Sequence, residues 1–142
     1  MFSLVDDEDV QLVSGRKWYI GKNHCGILYV VCDDKRMHRE ILGLKKGDGI
    51  IVDHKNGNPL DNRKANLRIC TNQQNCMNSN PRKGSSRYKG VTYCRTSKNW
   101  QAQMIVDGKH IRLGSHATET QAAKAYDAEA RARYGEFART NF

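Results

Sequence analysis

The sequence predicts an α+β protein in two parts: a strand–loop–strand–helix module preceded by short antiparallel strands, then a three-stranded antiparallel sheet packed on one helix. Three observations carry this. Aromatic and β-branched residues occur in short runs bounded by Gly and Asn-Gly turns. The stretch ATETQAAKAYDAEARARYG (117–135) has the length, cap residues and terminal glycine of a full helix. Charge is also divided unevenly, with 12 Lys/Arg against 10 Asp/Glu in residues 1–80 (net +2) and 12 against 5 in residues 81–142 (net +7). A chain of 142 residues suits one ordinary domain or two small ones. The polar, basic SNPRKGSSR (79–87) has the composition of a linker, which gives domains 1–80 and 81–142.

In chain order, residues 10–32 read as short antiparallel strands with turns at Gly21 and Gly26. MHREILGL (37–44) spaces Met37, Ile41 and Leu44 as a short helix that ends at Gly43 and Gly47. GDGIIVDH (47–54) and LRICT (67–71) are strands, joined by an excursion rich in turn residues, Asn56-Gly57 and Asn58-Pro59. Thr71 then N-caps a helix through NQQNCMNS. Beyond the linker, YKGVTYC (88–94), WQAQMIV (100–106) and KHIRLG (109–114) are strands, with Asp107-Gly108 as a tight hairpin turn. Trp100, Ala102, Met104 and Val106 share one face of the middle strand, and Gln101 and Gln103 the other. In the last helix Thr118 and Gln121 make a capping box, Gly135 is the stop, and Ala122, Ala123, Ala125, Tyr126 and Ala130 form a small-residue face against the sheet. Phe137 and Phe142 are expected to seal the edge of that core.

The composition narrows the classes of function. No run approaches the roughly 18 apolar residues of a membrane span, and the N-terminus MFSLVDDEDVQ is acidic, unlike a signal peptide. A soluble, cytoplasmic protein without a membrane partner is expected. The five cysteines (Cys25, Cys32, Cys70, Cys76, Cys94) are odd in number and never spaced CxxC, so they are expected to be reduced thiols, in neither a disulfide framework nor a zinc knuckle. The basic second half is built to meet a polyanion, and nucleic acid is the usual one.

The candidate chemistry lies in VDHKNGNPLDNRKANLRICTNQQN (52–75). Asp53 and His54 are adjacent at a strand end, where an immediate turn lets both serve one site. Carboxylate and amide oxygens suit Mg²⁺ or a similar hard cation, and a neutral histidine can take a proton from a water attacking a phosphate. Asn66 follows His54 by twelve residues and Asn75 by twenty-one, which separates them from Asn56, Asn58, Asn62 and Asn72, read as turn and loop residues. In DH, NGN, DNR, NLR and the closing N, the stretch resembles the HNH nuclease motif, also called the ββα-metal finger, in its phage homing-endonuclease branch. The resemblance implies His54 as general base and Asp53 and Asn75 as ligands of one Mg²⁺ or Mn²⁺ per active site. It also implies Asn66 as a brace that fixes the loop and so the orientation of His54. His38 and Arg39 match the pair that often opens the motif, with Arg39 able to steady a DNA phosphate. Asn75 stands where many relatives have histidine or aspartate.

From Tyr88 to Phe142 the chain resembles the APETALA/ethylene-response-factor DNA-binding domain, through YKGV (88–91), WQAQM (100–104), IRLGSH (111–116), AAKAYDAEA (122–130) and the closing NF. The resemblance implies that the polar sheet face enters the major groove, with Lys89, Arg95, Gln103, His110 and Arg112 contacting DNA. Thr92, Gln103 and Arg112 depart from the arginine, glutamate and tryptophan usual in the plant proteins, so the plant target sequence does not transfer. Together the two resemblances imply a DNA endonuclease of homing type, acting on double-stranded DNA without a small-molecule cofactor, as a monomer or weak dimer, in a bacterial host cell if phage-encoded. The alternative is a DNA-binding regulator that uses the nuclease module as a scaffold only.

Overall fold

The chain divides into two units, Met1–Thr71 and Asn72–Phe142, in a computed structural model that describes residues 2–22, 27–81 and 84–142. In the first unit the acidic run 6–9 opens helical backbone: a 3₁₀ turn, Asp7–Asp9, leads into α1 (Val10–Ser14). Strand was expected from residue 10. Lys64 Nζ, 2.7 Å from Glu8 and 2.9 Å from Asp9, holds the acidic turn. Val13 is buried, and its carbonyl accepts the Trp18 indole N–H at 2.8 Å.

Strands β1 (Tyr19–Lys22), β2 (Leu28–Cys32) and β3 (Lys35–Arg36) form an antiparallel sheet in that order. Gly21 lies inside β1 opposite Tyr29, not in a turn, and a Cβ there would sit 2.9 Å from a Val31 methyl. The expected turn at Gly26 lies outside the described residues. After the short α2 (Met37–Ile41), β4 (Ile51–His54) pairs antiparallel with β5 (Leu67–Cys70), with Asp53 opposite Arg68 and His54 opposite Leu67. Val13, Val30, Met37, Ile41 and Leu67 make the core, with Trp18, Val52 and Leu60 against it. The N-terminal segment is stitched to the β4–β5 loop: the Leu4 N–H donates to the Leu60 carbonyl and the Asn62 N–H to the Leu4 carbonyl, both at 2.8 Å.

The second unit begins earlier than the expected linker, because α3 (Asn72–Met77) belongs to it. The Met77 carbonyl accepts the Arg139 N–H at 3.2 Å and the Lys89 ammonium. Gln73 Nε2 donates to the Ile105 carbonyl at 3.0 Å and to the Tyr134 hydroxyl at 2.9 Å. Within the expected linker, Ser86 Oγ donates to Glu119 at 2.7 Å and Ser85 Oγ accepts the Tyr93 N–H at 2.9 Å, so this end of it is folded onto the unit. Residues 82–83 lie outside the described residues.

Strands β6 (Val91–Cys94), β7 (Asn99–Val106) and β8 (Lys109–His116) form the second antiparallel sheet. Asp107 and Gly108 both take positive φ, 50° and 74°, as a two-residue hairpin turn requires. Ala102 and Met104 are buried against α4 (Glu119–Tyr134), whose Ala122, Ala123, Tyr126 and Ala130 are at most 2% exposed. Thr118 and Gln121 close both bonds of the capping box. The alanine face lets backbones approach so closely that Gly90, at φ 74°, would place a Cβ 2.0 Å from the Tyr126 ring. Phe142 is 56% exposed and does not seal the core edge as expected. The C-terminus is instead held by Asp127, 1% exposed, whose carboxylate accepts the backbone N–H groups of Asn141 and Phe142 and the Asn141 amide, all at 2.9 Å.

Candidate active site

Asp53 and His54 end β4 and are 6% and 7% exposed. The backbone turns at once, with the Gly57 N–H donating to the His54 carbonyl at 2.8 Å. Arg68, across the strand pair, donates through Nε and Nη2 to a single oxygen of Asp53, Oδ2, at 2.9 and 2.7 Å. The guanidinium thus fixes the carboxylate's orientation and neutralises it where little water reaches.

His54 stands edge-on to His38, ring centroids 5.2 Å apart, and Tyr29 packs 6.1 Å beyond. Burial pushes the His54 imidazole below its ordinary value, against the opposing pull of Asn62, Asp53 and Asp61. Burial, then the charge of His54 and of Arg36 and Arg39, lowers His38 to about 3. Both rings are therefore neutral at physiological pH, the state in which His54 can accept a proton.

The loop between β4 and β5 is a closed hydrogen-bond network. Asn66 Oδ1 accepts the Asn56 N–H at 3.0 Å, and its Nδ2 donates to the Asp61 carbonyl at 2.7 Å. Asp61, 2% exposed, takes Arg63 in a two-point pair at 2.8 and 2.7 Å and the Asn56 amide at 2.9 Å. The Arg63 bonds hold the Asp61 carboxyl below its ordinary value. Asn62, expected to be a loop residue, is fully buried, and its Oδ1 lies 3.2 Å from His54 Nε2. Asn62 and Arg68 are site residues that spacing missed. The register that pairs His54 with Leu67 was the signal that could have found Arg68.

Asp53, His54 and Asn66 come together in the first unit, whereas Asn75 is a half-buried residue of α3 in the second. Among the described residues no cluster of three or more His, Cys, Asp or Glu is arranged as a metal site. The ligands expected from the sequence are oxygen donors instead. In kind, a buried carboxylate and an amide oxygen fit Mg²⁺ or Mn²⁺, which keep waters and take further ligands from a phosphate. Cys32 and Cys70 are buried, Cys76 is exposed and Cys94 half-exposed, and none of these four is in a disulfide; Cys25 lies outside the described residues.

The residues expected to meet DNA separate into two groups. Arg39 is not displayed to solvent: its guanidinium donates to the Ile50 carbonyl at 2.7 Å, the Lys45 carbonyl at 2.5 Å and the Asp48 carboxylate, and so ties down the loop before β4. Lys89 is likewise turned onto the Met77 and Cys76 carbonyls at the end of α3. Arg95, His110 and Arg112 are exposed, and Gln103, paired with Arg112 across β7 and β8, is half-exposed beside Thr92.

A family described as HNH endonuclease matches residues 35–77, which span α2, the β4–β5 pair and α3. The chain is 35% identical over 144 residues to an uncharacterised HNH endonuclease, L560, of Acanthamoeba polyphaga mimivirus, covering 99% of this chain and 74% of that protein. It is 29% identical over 92 residues to Protein 3.8 of Escherichia phage T7, covering 64% of this chain and 75% of that protein. A stretch of 47 residues is 43% identical to APETALA2-like protein 2 of Oryza sativa subsp. indica, covering 33% of this chain and 11% of the plant protein. The chain belongs to the HNH endonuclease family.

Proposed function

We propose that the protein is a metal-dependent DNA endonuclease of homing type, with a nuclease module tethered to an APETALA-like DNA-binding module. The observation that carries this is the pairing of a buried neutral imidazole, His54, with the adjacent carboxylate of Asp53 at one strand end, followed by a loop that Asn66 braces. Water bonds to the scissile phosphorus as its proton passes to His54. The P–O3′ bond breaks with its electron pair on the 3′ oxygen, which takes a proton from solvent water, leaving a 5′ phosphate and a 3′ hydroxyl. Asp53 would hold the cation, which when bound supplies charge stabilisation at the phosphate. Arg68 orients Asp53 for that role but also offsets its charge, so the cation should bind weakly until DNA contributes a phosphate oxygen.

On the second unit, the exposed face of β6–β8 offers Arg95, Gln103, His110 and Arg112 to duplex DNA. Arginine and glutamine can contact guanine and adenine edges in two-point fashion. The similarity to the plant proteins and the net +7 of residues 81–142 support this assignment. The test is incubation of a genomic library in supercoiled plasmids with the protein and Mg²⁺ or Mn²⁺, with and without EDTA. Nicked or linear product that EDTA abolishes, with ends that ligase accepts, is expected; no cleavage under any condition would leave a DNA-binding regulator as the better account.

A further inference from the structure

The base in the proposed reaction is held by a hydrogen-bond chain that begins at the N-terminus. Ser3 Oγ lies 3.0 Å from the Leu60 carbonyl oxygen, 3.5 Å from Met37 Sδ and 2.9 Å from the Asn62 amide. A hydroxyl has one proton to give, and a carbonyl oxygen is a far better acceptor than a thioether sulfur. With that proton on Leu60, Ser3 Oγ can only accept from Asn62, so the amide group facing it is the NH₂. The second Nδ2 hydrogen then points at Met37 Sδ, 3.7 Å away. The remaining amide atom, Oδ1, accepts only, and it sits 3.2 Å from His54 Nε2. Nε2 must therefore carry the imidazole proton, and in a neutral ring the lone pair is on Nδ1.

We propose that Ser3 and Asn62 are positioning residues that set the tautomer and ring orientation of His54, so that the N-terminal segment decides which nitrogen receives the proton of the attacking water. This rests on His54 being the base. Asn62 is fully buried and the Leu4 backbone brackets it, with Leu4 N–H on Leu60 and Asn62 N–H on Leu4. The amide consequently has no room to exchange its two ends without breaking bonds at both Ser3 and His54. Without the Ser3 hydroxyl, only the weak Met37 sulfur acceptor still favours this amide orientation.

The test is long-range ¹H–¹⁵N NMR of the imidazoles in ¹⁵N-labelled full-length protein, at a pH where His54 is neutral, beside a cleavage assay. Wild type should show His54 protonated at Nε2 alone. Ser3→Ala should give a mixture of tautomers and cleave about 10- to 100-fold more slowly, and Ser3→Thr, which restores a hydroxyl, should recover both. His54 protonated at Nδ1 in wild type would overturn the proposal, as would a single Nε2 tautomer in both Ser3→Ala and Asn62→Leu. The wild-type spectrum decides even if a variant fails to fold. Wild type with the Nε2 tautomer but no cleavage of any DNA would sink the nuclease assignment while leaving the positioning chain intact.

Discussion

Replacing Arg68 by methionine probes how the carboxylate of the site is held. Both side chains of the Arg68–Asp53 pair are almost out of water, 8% and 7% exposed, and two N–H groups converge on one oxygen at 2.9 and 2.7 Å. Surface ion pairs are worth at most about 1 kcal/mol because water screens them. Here screening is weak, and removing one partner retains the desolvation cost of the other, a loss of about 3–5 kcal/mol. That is a large share of the roughly 5–15 kcal/mol that holds a typical domain together. At a slope of about 2 kcal/mol per molar urea, the unfolding midpoint of the first unit should fall by about 2 M. Asp53→Leu with Arg68→Met, which removes both charges, should recover most of the loss, giving strongly non-additive energies in a double-mutant cycle. A loss below about 1 kcal/mol for Arg68→Met, or singles that simply add, would refute the claim that Asp53 is a buried charge held by Arg68.

Gly90→Ala should destabilise the second unit by about 3 kcal/mol or more, because it combines a positive φ with a Cβ 2.0 Å from the Tyr126 ring; thermal unfolding reads this, and a loss under about 1 kcal/mol would contradict the close packing. Burial lowers the Lys89 ammonium to about 8, below its unfolded value of about 10.4. The unfolded chain then holds more protons between those pH values, so second-unit stability should rise as pH goes from about 8 to about 10, and Lys89→Met should flatten that rise. Arg112→Ala should weaken DNA binding by about 1–3 kcal/mol if it reads a base, or reduce the salt slope if it meets a phosphate. Arg39→Ala should lower the melting temperature instead and leave the salt slope unchanged, since its guanidinium is bonded to the Ile50 and Lys45 carbonyls and Asp48.

The legible parts of the sequence were those governed by local rules. The capping box at Thr118, the Asp107-Gly108 turn and the alternation along β7 each depend on neighbours a few residues apart, and the β4–loop–β5–α3 order follows from turn residues between short apolar runs. What stayed hidden depended on contacts far apart in the chain. Residues 7–14 are helical partly because Lys64 pairs with Glu8 and Asp9. The α3 segment joins the second unit because Gln73, Cys76 and Met77 bond to Lys89, Ile105, Tyr134 and Arg139. In the site, spacing from His54 singled out Asn66, which has bonds to two segments of the loop, but could not separate Asn62 from its exposed neighbours. Its partners include Ser3, 59 residues away, and Met37, 25 residues away. Similarly, Arg39 and Lys89 carry the charge of DNA contacts, and only the fold reveals the carbonyls they bind.

Substitution of His54 tests most directly whether that side chain activates water for phosphodiester hydrolysis. Wild type and His54→Ala, matched for melting temperature and for DNA affinity, are incubated with a supercoiled plasmid shown to contain a target, in Mg²⁺ and in Mn²⁺. Loss of a general base should slow cleavage by about 10²- to 10⁴-fold while binding persists. Equal cleavage by His54→Ala would contradict the account.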